Sequence, residues 1–582
     1  MRVFLDLMWF FKQEKKAYLT GIFLLCLVAI LELVPPKIIG MVVDSIKEGT
    51  LTLKQLLQWM GILATVALCM YGLRYFWRML IFGSAVKLSK LLRNRLYHHF
   101  TSLSPSFYQR RRIGDLMAHA TNDLQAIQQT AGVGVLTLVD SLATGGFVII
   151  AMATTISWKL TLISLIPMPI MALLTNYYGT LLHKRFHLAQ EAFSSLNDKT
   201  QESIAGIKVI KTFGQEKEDI EAFRKQSDDV VQKNMSVARI DSLFDPTISI
   251  IVGFSFFLAI VFGARFVLQG ELTIGQLVSF TTYLGLLIWP MLAFGWLFNI
   301  VERGRASYDR VSSLLQEQPD VQDTQKAIDK VPSGDIEYRL TSFTYPNDTQ
   351  PVLKNIYFTL KRGETLGIVG KTGSGKTSLI KALLREFPGM KGDILIGGYS
   401  ITEYQLDTLR EAIGYVPQDH FLFSASIRDN IAFARPQASQ KEIEEAARLA
   451  HIHDDIEQFP EGYDTVVGER GVSLSGGQKQ RISIARALLI NPEVLILDDA
   501  LSAVDAKTEE QILRSLKENR VGKTTIITAH RLSAIQHANL IVVLENGIII
   551  QKGTHDQLMK EEGWYKEMYV RQQLEELVEH GG

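Results

Sequence analysis

Cysteine is scarce in this sequence, and neither sign of charge is in excess. The chain of 582 residues contains two cysteines, Cys26 and Cys69, and both lie in apolar stretches. This usage argues against a disulfide framework and favours two buried apolar thiols. Lysine and arginine together number 61, aspartate and glutamate also 61, so the formal net charge is zero. Such a balance gives no indication of a nucleic-acid partner.

The amino-terminal residues lack the pattern of a cleavable signal peptide. The stretch MRVFLDLMWFFKQEKKAYL places its charges after the first apolar cluster and contains no small-residue cleavage site. We therefore expect an amphipathic segment lying at a membrane surface. No internal repeat is visible, and the length exceeds what one hydrophobic core supports, so the chain is expected to form at least two domains.

Long apolar runs are confined to the part of the chain before about residue 320. A hydrocarbon core of about 30 Å is crossed by about 20 apolar residues in a helix. The third and fourth runs are separated only by SWKL and predict two spans joined by a tight outer turn. The six predicted spans cover approximately residues 17–40, 56–83, 131–156, 160–181, 245–265 and 274–300.

The distribution of basic residues predicts the orientation of these spans. Lysines precede the first span, and lysines and arginines crowd the connection between the second and third, which by the positive-inside rule places both segments and both termini in the cytoplasm. The long cytoplasmic connections carry helical patterns, and at 1.5 Å per residue they would project roughly 30 to 40 Å from the membrane. The basic residues are Lys12, Lys15, Lys16, Lys87, Lys90, Arg93, Arg95, Arg110, Arg111 and Arg112.

A polar linker separates the apolar part from a soluble part. From Asp335 onward, runs typical of strands alternate with runs typical of helices, a pattern that predicts an α/β domain. We therefore expect a six-span membrane α-helical domain at 1–320, a linker at 321–333 and an α/β P-loop domain with a helical subdomain at 334–582.

The stretch GKTGSGKT follows an apolar strand and opens a helix, which is the context of a P-loop. In such a loop backbone N–H groups surround phosphates, while Lys376 reaches the β and γ oxygens and the Thr377 hydroxyl ligates Mg²⁺. Asp498 ends the buried strand VLILD and is predicted to hold the Mg²⁺ shell, although alone it could be an ordinary strand end. The P-loop residues predicted to bind nucleotide are Gly370, Lys371, Thr372, Gly373, Ser374, Gly375, Lys376, Thr377 and Ser378.

Further motifs give the chain a family resemblance. LSGGQ at 474–478 resembles the signature sequence of ATP-binding cassette (ABC) proteins, and six spans ahead of one cassette resemble an ABC exporter half-transporter. The resemblance implies that Tyr345 stacks on adenine, that Gln418 senses Mg²⁺ and the γ-phosphate, that Asp505 ends the D-loop, and that His530 is the switch histidine. Taken singly, the tyrosine and the histidine are more often structural.

In ABC cassettes the signature lies on a helical subdomain, here about 425–490, and closes on nucleotide bound by another cassette. The resemblance thus implies that Ser475 and Gly477 donate to a partner's γ-phosphate. A dimer is then required by the mechanism, with ATP and Mg²⁺ buried between two subunits.

Asp499 departs from the pattern of an active cassette. The residue after the Walker B aspartate is normally glutamate, which orients or deprotonates the attacking water. Aspartate is one methylene shorter, a retraction of the carboxylate by about 1 Å that can cost on the order of a hundredfold in rate. We expect this site to bind ATP and hydrolyse it poorly, unless backbone adjustment or a bridging water compensates.

A weak site favours pairing with a different half-transporter that carries the glutamate. The chain thus resembles the degenerate-site subunit of heterodimeric bacterial multidrug exporters. Residues 120–127 and 212–220 resemble the coupling helices that connect cassettes to spans, with Gln418 in the adjoining loop, although charged loops are commonly just solvated helix faces.

Substrate identity is only weakly encoded. The sixth span is rich in aromatic residues, which suit varied amphiphiles but also helix packing or interfacial anchoring. Glu32 and Asp140 fall within predicted spans, where carboxylates are costly, and they either favour cationic drugs or act structurally. A drug exporter of the cell membrane is the leading hypothesis; a lipid or peptide exporter and a regulatory subunit that gates its partner are the alternatives.

Overall fold

The computed structural model describes residues 2–324, 326–346, 348–468 and 473–580. It contains two compact units. The first comprises the chain up to Thr101 together with Gly114–Glu317, and the second comprises Ser102–Ile113 together with the chain from Gln318 onward. The short excursion at 102–113 thus belongs with the second unit, although it lies between two membrane helices in the sequence.

The first unit is entirely helical in the residues described. Three π-helical turns, His119–Asp123, Thr130–Gly134 and Ala153–Ser157, interrupt its α-helices. The α-helices before the linker are α1 (Arg2–Asp6), α2 (Met8–Gln13), α3 (Lys15–Leu31), α4 (Val34–Lys47), α5 (Leu53–Ser102), α6 (Pro105–Arg110), α7 (Ile113–Ala118), α8 (Leu124–Gln129), α9 (Val135–Met152), α10 (Trp158–Leu165), α11 (Pro167–Ala205), α12 (Ile207–Phe213), α13 (Glu216–Asp241), α14 (Phe244–Leu268), α15 (Ile274–Leu286) and α16 (Ile288–Gln316).

Five helical stretches of the described chain are long and apolar enough to cross a bilayer. The predicted first, second, third, fifth and sixth spans each fall largely in one of them. The predicted fourth span begins in α10 and continues in α11, which is not among the five and stays a prediction. The five stretches are Lys15–Lys47, Leu53–Ser102, Ile113–Leu165, Glu216–Leu268 and Ile274–Gln316.

The predicted turn between the third and fourth spans coincides with a backbone break. Ser157 has extended geometry, φ −159° and ψ 118°, and its side chain accepts a hydrogen bond from the Leu160 N–H, so it caps α10. The cap satisfies one of the free N–H groups at the start of that helix.

Close backbone contact joins α4 and α15 within the first unit. A Cβ atom on Gly275 would lie 2.0 Å from the carbonyl oxygen of Gly40, so neither position tolerates a side chain without a shift. Asp44 accepts hydrogen bonds from the Gly275 N–H at 2.7 Å and the Thr273 hydroxyl at 2.6 Å. These contacts fix the start of the last membrane helix pair.

One expectation about the cysteines is wrong. Cys26 and Cys69 are both free thiols, but Cys26 is only half-buried and Cys69 is exposed. Cys69 lies on α5, whose apolar window has no buried residue in the single chain. An apolar run in a membrane helix therefore does not by itself imply burial against protein.

The second unit contains the predicted α/β domain. Its strands are β1 (Ile336–Phe343), β2 (Leu353–Leu360), β3 (Thr365–Gly370), β4 (Met390–Ile396), β5 (Tyr399–Ser400), β6 (Ile413–Val416), β7 (Ala425–Ser426), β8 (Val466–Val467), β9 (Val494–Asp498), β10 (Thr524–Thr528), β11 (Leu540–Glu545) and β12 (Ile548–Gly553). Its remaining α-helices are α17 (Lys376–Leu383), α18 (Leu406–Glu411), α19 (Ile427–Ile431), α20 (Gln440–Leu449), α21 (His453–Glu457), α22 (Gly476–Leu489), α23 (Ala506–Asn519), α24 (His555–Leu558) and α25 (Trp564–His580).

The central sheet brings the carboxyl ends of five parallel strands to one edge. Its order is β12-β11-β3-β10-β9-β6, with only β12 antiparallel, while a four-stranded antiparallel sheet has the order β2-β1-β4-β5. Strands β9 and β10 are buried along their whole lengths. In open α/β sheets ligands bind beyond the carboxyl ends of such strands, and here those ends include β3, β10, β9 and β6.

The excursion at 102–113 is held within the second unit by the start of the linker. The Asp320 carboxylate accepts hydrogen bonds from the Ser106 hydroxyl and from Arg110, the latter at 3.0 Å. The Val321 N–H donates to the Ser104 hydroxyl at 3.3 Å. The first coupling segment predicted from the sequence lies elsewhere.

The predicted coupling segment at 120–127 lies inside the first unit. Leu124 and Ile127 are fully buried, and the buried Asp123 accepts from Arg310 and from the Ser307 hydroxyl at 2.8 Å. One face of this segment is therefore buried and the other, with Thr121, Asn122 and Gln125, is exposed, and the segment is not part of the excursion that groups with the cassette. The second predicted segment, 212–220, spans a break at Gly214 between α12 and α13, and α12 has no buried residue.

Candidate nucleotide site

The P-loop occupies the connection between β3 and α17, as its sequence context predicts. Gly370 has φ +149° and Gly375 has φ +103°, backbone conformations that favour glycine. A Cβ on Gly370 would also lie 2.1 Å from the carbonyl oxygen of Leu544. The glycines are thus required for the loop to curl in front of the amino terminus of α17.

Lys376 folds back over this loop. Its Nζ donates to the carbonyl oxygens of Gly370 at 2.9 Å and Lys371 at 3.2 Å. Burial lowers the pKa of Lys376, and the carboxylates of Asp498 and Asp499 oppose that shift. Within the loop the Ser374 hydroxyl oxygen is buried, with no hydrogen-bond partner among the described residues. The lysine and the loop form a cradle with the donors that a polyphosphate needs.

Asp498 lies at the centre of a hydroxyl-rich cluster. Its Oδ1 accepts from Thr528 Oγ1 at 2.7 Å and from Thr377 Oγ1 at 3.3 Å, and its Oδ2 accepts from the Tyr415 hydroxyl at 3.3 Å. Asp498 is almost fully buried. A carboxylate beside a threonine hydroxyl offers the hard oxygen ligands that Mg²⁺ prefers, so these residues fit the predicted metal.

Asp499 follows in a left-handed backbone conformation, φ +52°. Its N–H donates to Thr528 Oγ1 at 2.9 Å and to the Thr528 carbonyl at 3.2 Å, while its Oδ2 lies 3.5 Å from Gln418 Nε2. Burial and the neighbouring Asp498 raise the pKa of Asp499, whereas His530, Lys376 and Gln418 act in the opposite direction. The structure thus places Gln418, another predicted catalytic residue, beside the Asp499 carboxylate.

Tyr345 lies beside the start of α17. Its hydroxyl is 3.0 Å from Ser378 Oγ, and its ring makes edge-to-face contacts with Phe343 and Phe387 at centroid distances of 5.0 and 5.1 Å. Burial raises the pKa of Tyr345. Its place next to the P-loop is compatible with the predicted stacking on adenine, which stays a prediction.

The described contacts of Ser475 and Gly477 are with their own helix and with Ala503, not with the P-loop. Ser475 caps α22 in a capping box with Gln478. A Cβ on Gly477 would lie 2.9 Å from the carbonyl oxygen of Ala503. In the part of the chain described, no hydrogen bond joins Ser475 or Gly477 to residues 370–378.

Two links in this region escape sequence reasoning. Gln480, almost fully buried, donates to Ser502 Oγ at 3.1 Å and accepts from the Ala503 N–H at 2.9 Å, so it joins the signature helix to the D-loop. Thr528 and Tyr415 hold Asp498 from the strands on either side of β9. Both lie near the ends of strands that neighbour β9. The sequence alone does not single them out, because the order of the strands in the sheet must be known first.

Comparison with known proteins assigns both parts of the chain. Residues 18–291 match the model of the ABC transporter transmembrane region, and residues 353–502 match that of the ABC transporter. The chain is 52% identical to the multidrug resistance-like ATP-binding protein MdlA of Escherichia coli, across 99% of this chain and 97% of that protein. The chain belongs to the ABC transporter family.

Further relatives of this ABC transporter extend over the same length. It is 49% identical to the probable multidrug resistance ABC transporter ATP-binding/permease protein YheI of Bacillus subtilis, across 97% of each chain. The structure of a bacterial Atm1-family ABC exporter with ATP bound matches with a TM-score of 0.81 and 26% identity, covering 96% of this chain and 98% of that one.

These matches confirm the fold predicted from the sequence. The ABC transporter combines a multi-pass helical membrane domain with an α/β nucleotide-binding cassette in one exporter half-transporter. Its cassette binds nucleotide, and ATP hydrolysis is coupled to transport.

Proposed function

We propose that this ABC transporter is one subunit of a heterodimeric multidrug efflux pump. Its own site binds ATP and hydrolyses it poorly, while its signature completes an active site on a partner that carries glutamate at the position of Asp499. The observation that carries the proposal is the short Asp499 carboxylate, held 3.5 Å from Gln418 in a site otherwise complete.

The P-loop and its neighbours supply binding and positioning. Backbone N–H groups of residues 370–378 and Lys376 hold the phosphates, and Thr377, Asp498 and Gln418 would hold Mg²⁺. When bound, the metal neutralises charge on the phosphate oxygens. Thr528 and Tyr415 orient the Asp498 carboxylate, and His530 contacts the γ-phosphate.

The short side chain of Asp499 is what impairs ATP hydrolysis at this site. A raised pKa makes the Asp499 carboxylate a stronger proton acceptor than an ordinary aspartate, so basicity is not what it lacks. The missing methylene retracts it from the attacking water by about 1 Å, and a misplacement of that size can cost on the order of a hundredfold. ATP at this site therefore stays bound while the partner's site turns over.

The substrate proposal rests on the aromatic residues and charges of the membrane domain. Trp289 and Trp296 meet edge to face at 5.5 Å, and they are 57% and 56% exposed in the single chain. Two relatives are named for multidrug resistance. We infer that these rings contribute to a surface that accepts varied amphiphiles.

Of the two alternatives for Glu32, we assign it the structural role. Its carboxylate forms an ion pair with Arg74, a residue on α5 that sequence reasoning left out. Asp140 accepts from the Thr144 hydroxyl at 3.3 Å and forms no ion pair within the part of the chain that the structure describes. Glu32 is thus matched by an arginine and Asp140 is not, so we assign the preference for cationic drugs to Asp140 rather than to Glu32.

The pump is proposed to lie in the cell membrane, with both termini and the cassette in the cytoplasm. The basic residues of the connection after the second span support this orientation. Ser102–Ile113, which groups with the cassette unit, and residues 207–220 are the segments we assign to coupling.

Transport into vesicles tests the function. Inverted vesicles containing the purified complex should accumulate a fluorescent cationic drug on addition of ATP, and vesicles with this chain alone should not. Uptake of a labelled lipid or peptide, with drugs inactive, would contradict drug export. Transport by the partner alone, stimulated by ATP bound to this chain, would instead indicate a regulatory subunit.

A further inference from the structure

The loop that carries His530 is hydrogen-bonded to α25, the last helix of the chain. Gln572 lies on α25, and its Nε2 donates to the carbonyl oxygen of His530 at 2.7 Å. Its Oε1 accepts from the N–H of Leu532 at 2.8 Å. The two bonds lie on either side of Arg531, so one side chain bridges the backbone immediately around the switch histidine.

Both ends of this bridge are anchored. Leu532 is fully buried in the core of the second unit, and the loop begins directly after the buried strand β10. On α25, Tyr565 is fully buried, its hydroxyl lies 2.9 Å from His555 Nδ1, and its N–H donates to Gln551. The Tyr569 hydroxyl adds a bond to Gln536 at 3.3 Å. Gln572 therefore meets the loop from a fixed helix.

At neutral pH a glutamine at this position can make both bonds at once, and a glutamate cannot. A glutamine offers a donor and an acceptor, whereas an ionised glutamate can only accept. Polar backbone groups in a loop such as 529–532 need partners, and here the side chain takes the place that a neighbouring strand would have. A glutamate at this position would set its carboxylate against the carbonyl oxygen of His530.

We propose that Gln572 is the positioning residue of the switch histidine, so that α25 sets how well this site distinguishes ATP from ADP. The inference rests on the proposed role of His530 at the γ-phosphate. ADP lacks that phosphate, so loss of the bridge weakens ATP binding and leaves ADP binding unchanged.

The test uses the full-length chain with equilibrium binding of ATP and ADP. Gln572→Glu and Gln572→Ala should weaken ATP binding about three- to tenfold, the range of one lost hydrogen bond, with ADP affinity unchanged. Gln573→Ala, which removes an exposed hydrogen bond to Tyr569 one residue along the same helix, is the matched control and should leave ATP affinity unchanged. In the His530→Ala background, Gln572→Glu should add nothing.

Measuring ATP affinity as a function of pH separates loss of the hydrogen bonds from loss of packing. Gln572→Glu should recover ATP affinity as the pH falls and the new carboxyl gains a proton to donate, whereas Gln572→Ala should not recover. Equal loss of ATP and ADP affinity, or effects that add to those of His530→Ala, would overturn the inference. If His530→Ala itself leaves the preference for ATP intact, then the role proposed for His530 fails, and the inference fails with it.

Discussion

The hydroxyl of Thr528 donates to Oδ1 of Asp498 at 2.7 Å, and both residues are almost fully buried. The same hydroxyl oxygen accepts the N–H of Asp499 at 2.9 Å. One threonine on β10 therefore orients the predicted metal ligand and fixes the backbone of the residue that follows it.

Thr528→Val should impair nucleotide binding and lower stability. The change keeps the shape of the side chain but leaves the Asp498 oxygen without this donor and the Asp499 N–H without this acceptor, at about 1 to 3 kcal/mol in the free energy of unfolding. ATP affinity in the presence of Mg²⁺ should fall several-fold. Thr525→Val, on the opposite face of the same strand, is the control and should leave ATP affinity unchanged. Equal behaviour of the two variants would argue against the role of Thr528.

Asp499→Glu should raise ATP hydrolysis by the full-length chain. The added methylene restores the reach of the carboxylate, and we expect an increase of about ten- to a hundredfold. The gain is reduced by the backbone at φ +52°, a conformation that aspartate adopts more readily than glutamate. Asp499→Asn keeps the shorter length without a base and should not gain activity. A turnover rate unchanged by the glutamate would mean that another defect limits the site.

The stability of the cassette should carry a pH dependence from Asp499. Because burial raises its pKa in the folded state, folding favours the protonated form, and stability falls as the pH rises through the interval above the ordinary aspartate pKa, about 3.9. Asp499→Asn should thus melt at a higher temperature than wild type near pH 7, with the difference shrinking toward pH 4.

Asp505 provides a control of opposite sign. The hydrogen bond from the Thr508 N–H lowers the pKa of Asp505, so its stabilising effect is present above the ordinary aspartate pKa and is lost in more acid solution. Asp505→Asn should therefore not raise the melting temperature at pH 7. Thermal scans of both variants at several pH values measure the two trends, and a lower melting temperature for Asp499→Asn at pH 7 would contradict the first.

Asp140→Asn should reduce export of permanently cationic drugs about tenfold relative to neutral amphiphiles, because a charge partner in the membrane domain is lost. Glu32→Gln should have the smaller effect on cations, since the Glu32 charge is already matched by Arg74. Thr144→Val removes the hydrogen bond to Asp140 but keeps its charge, and serves as the control. Vesicle uptake of one cationic and one neutral dye measures the ratio, and an unchanged ratio in Asp140→Asn would refute the assignment.

The sequence predicts well those features that residues close together in the chain form. The P-loop is contiguous from strand to helix, and Asp498 ends an apolar run, so both could be placed without knowing how strands pair. Thr528 and Tyr415 lie on strands that flank β9 in the sheet, and the order β10-β9-β6 is not written in any short motif.

The sequence does not reveal partners that lie far apart in it. Asp123 lies in an amphipathic stretch for which a solvated face is one alternative, and it is buried against Arg310, 187 residues away. A hydropathy window places Glu32 in a span but gives no information about Arg74 on a neighbouring helix. Gln572 has no motif around it, and only the fold reveals that it touches the His530 loop.

The central claim is that this chain holds ATP without hydrolysing it while its partner turns ATP over. Photo-crosslinking of radiolabelled azido-ATP to the purified complex during turnover, followed by separation of the subunits, identifies the nucleotide on each. We expect ATP on this chain and ADP on the partner, and ADP on both after Asp499→Glu. ADP accumulating equally fast on both wild-type subunits, or rapid ATP turnover by this chain purified alone, would contradict it.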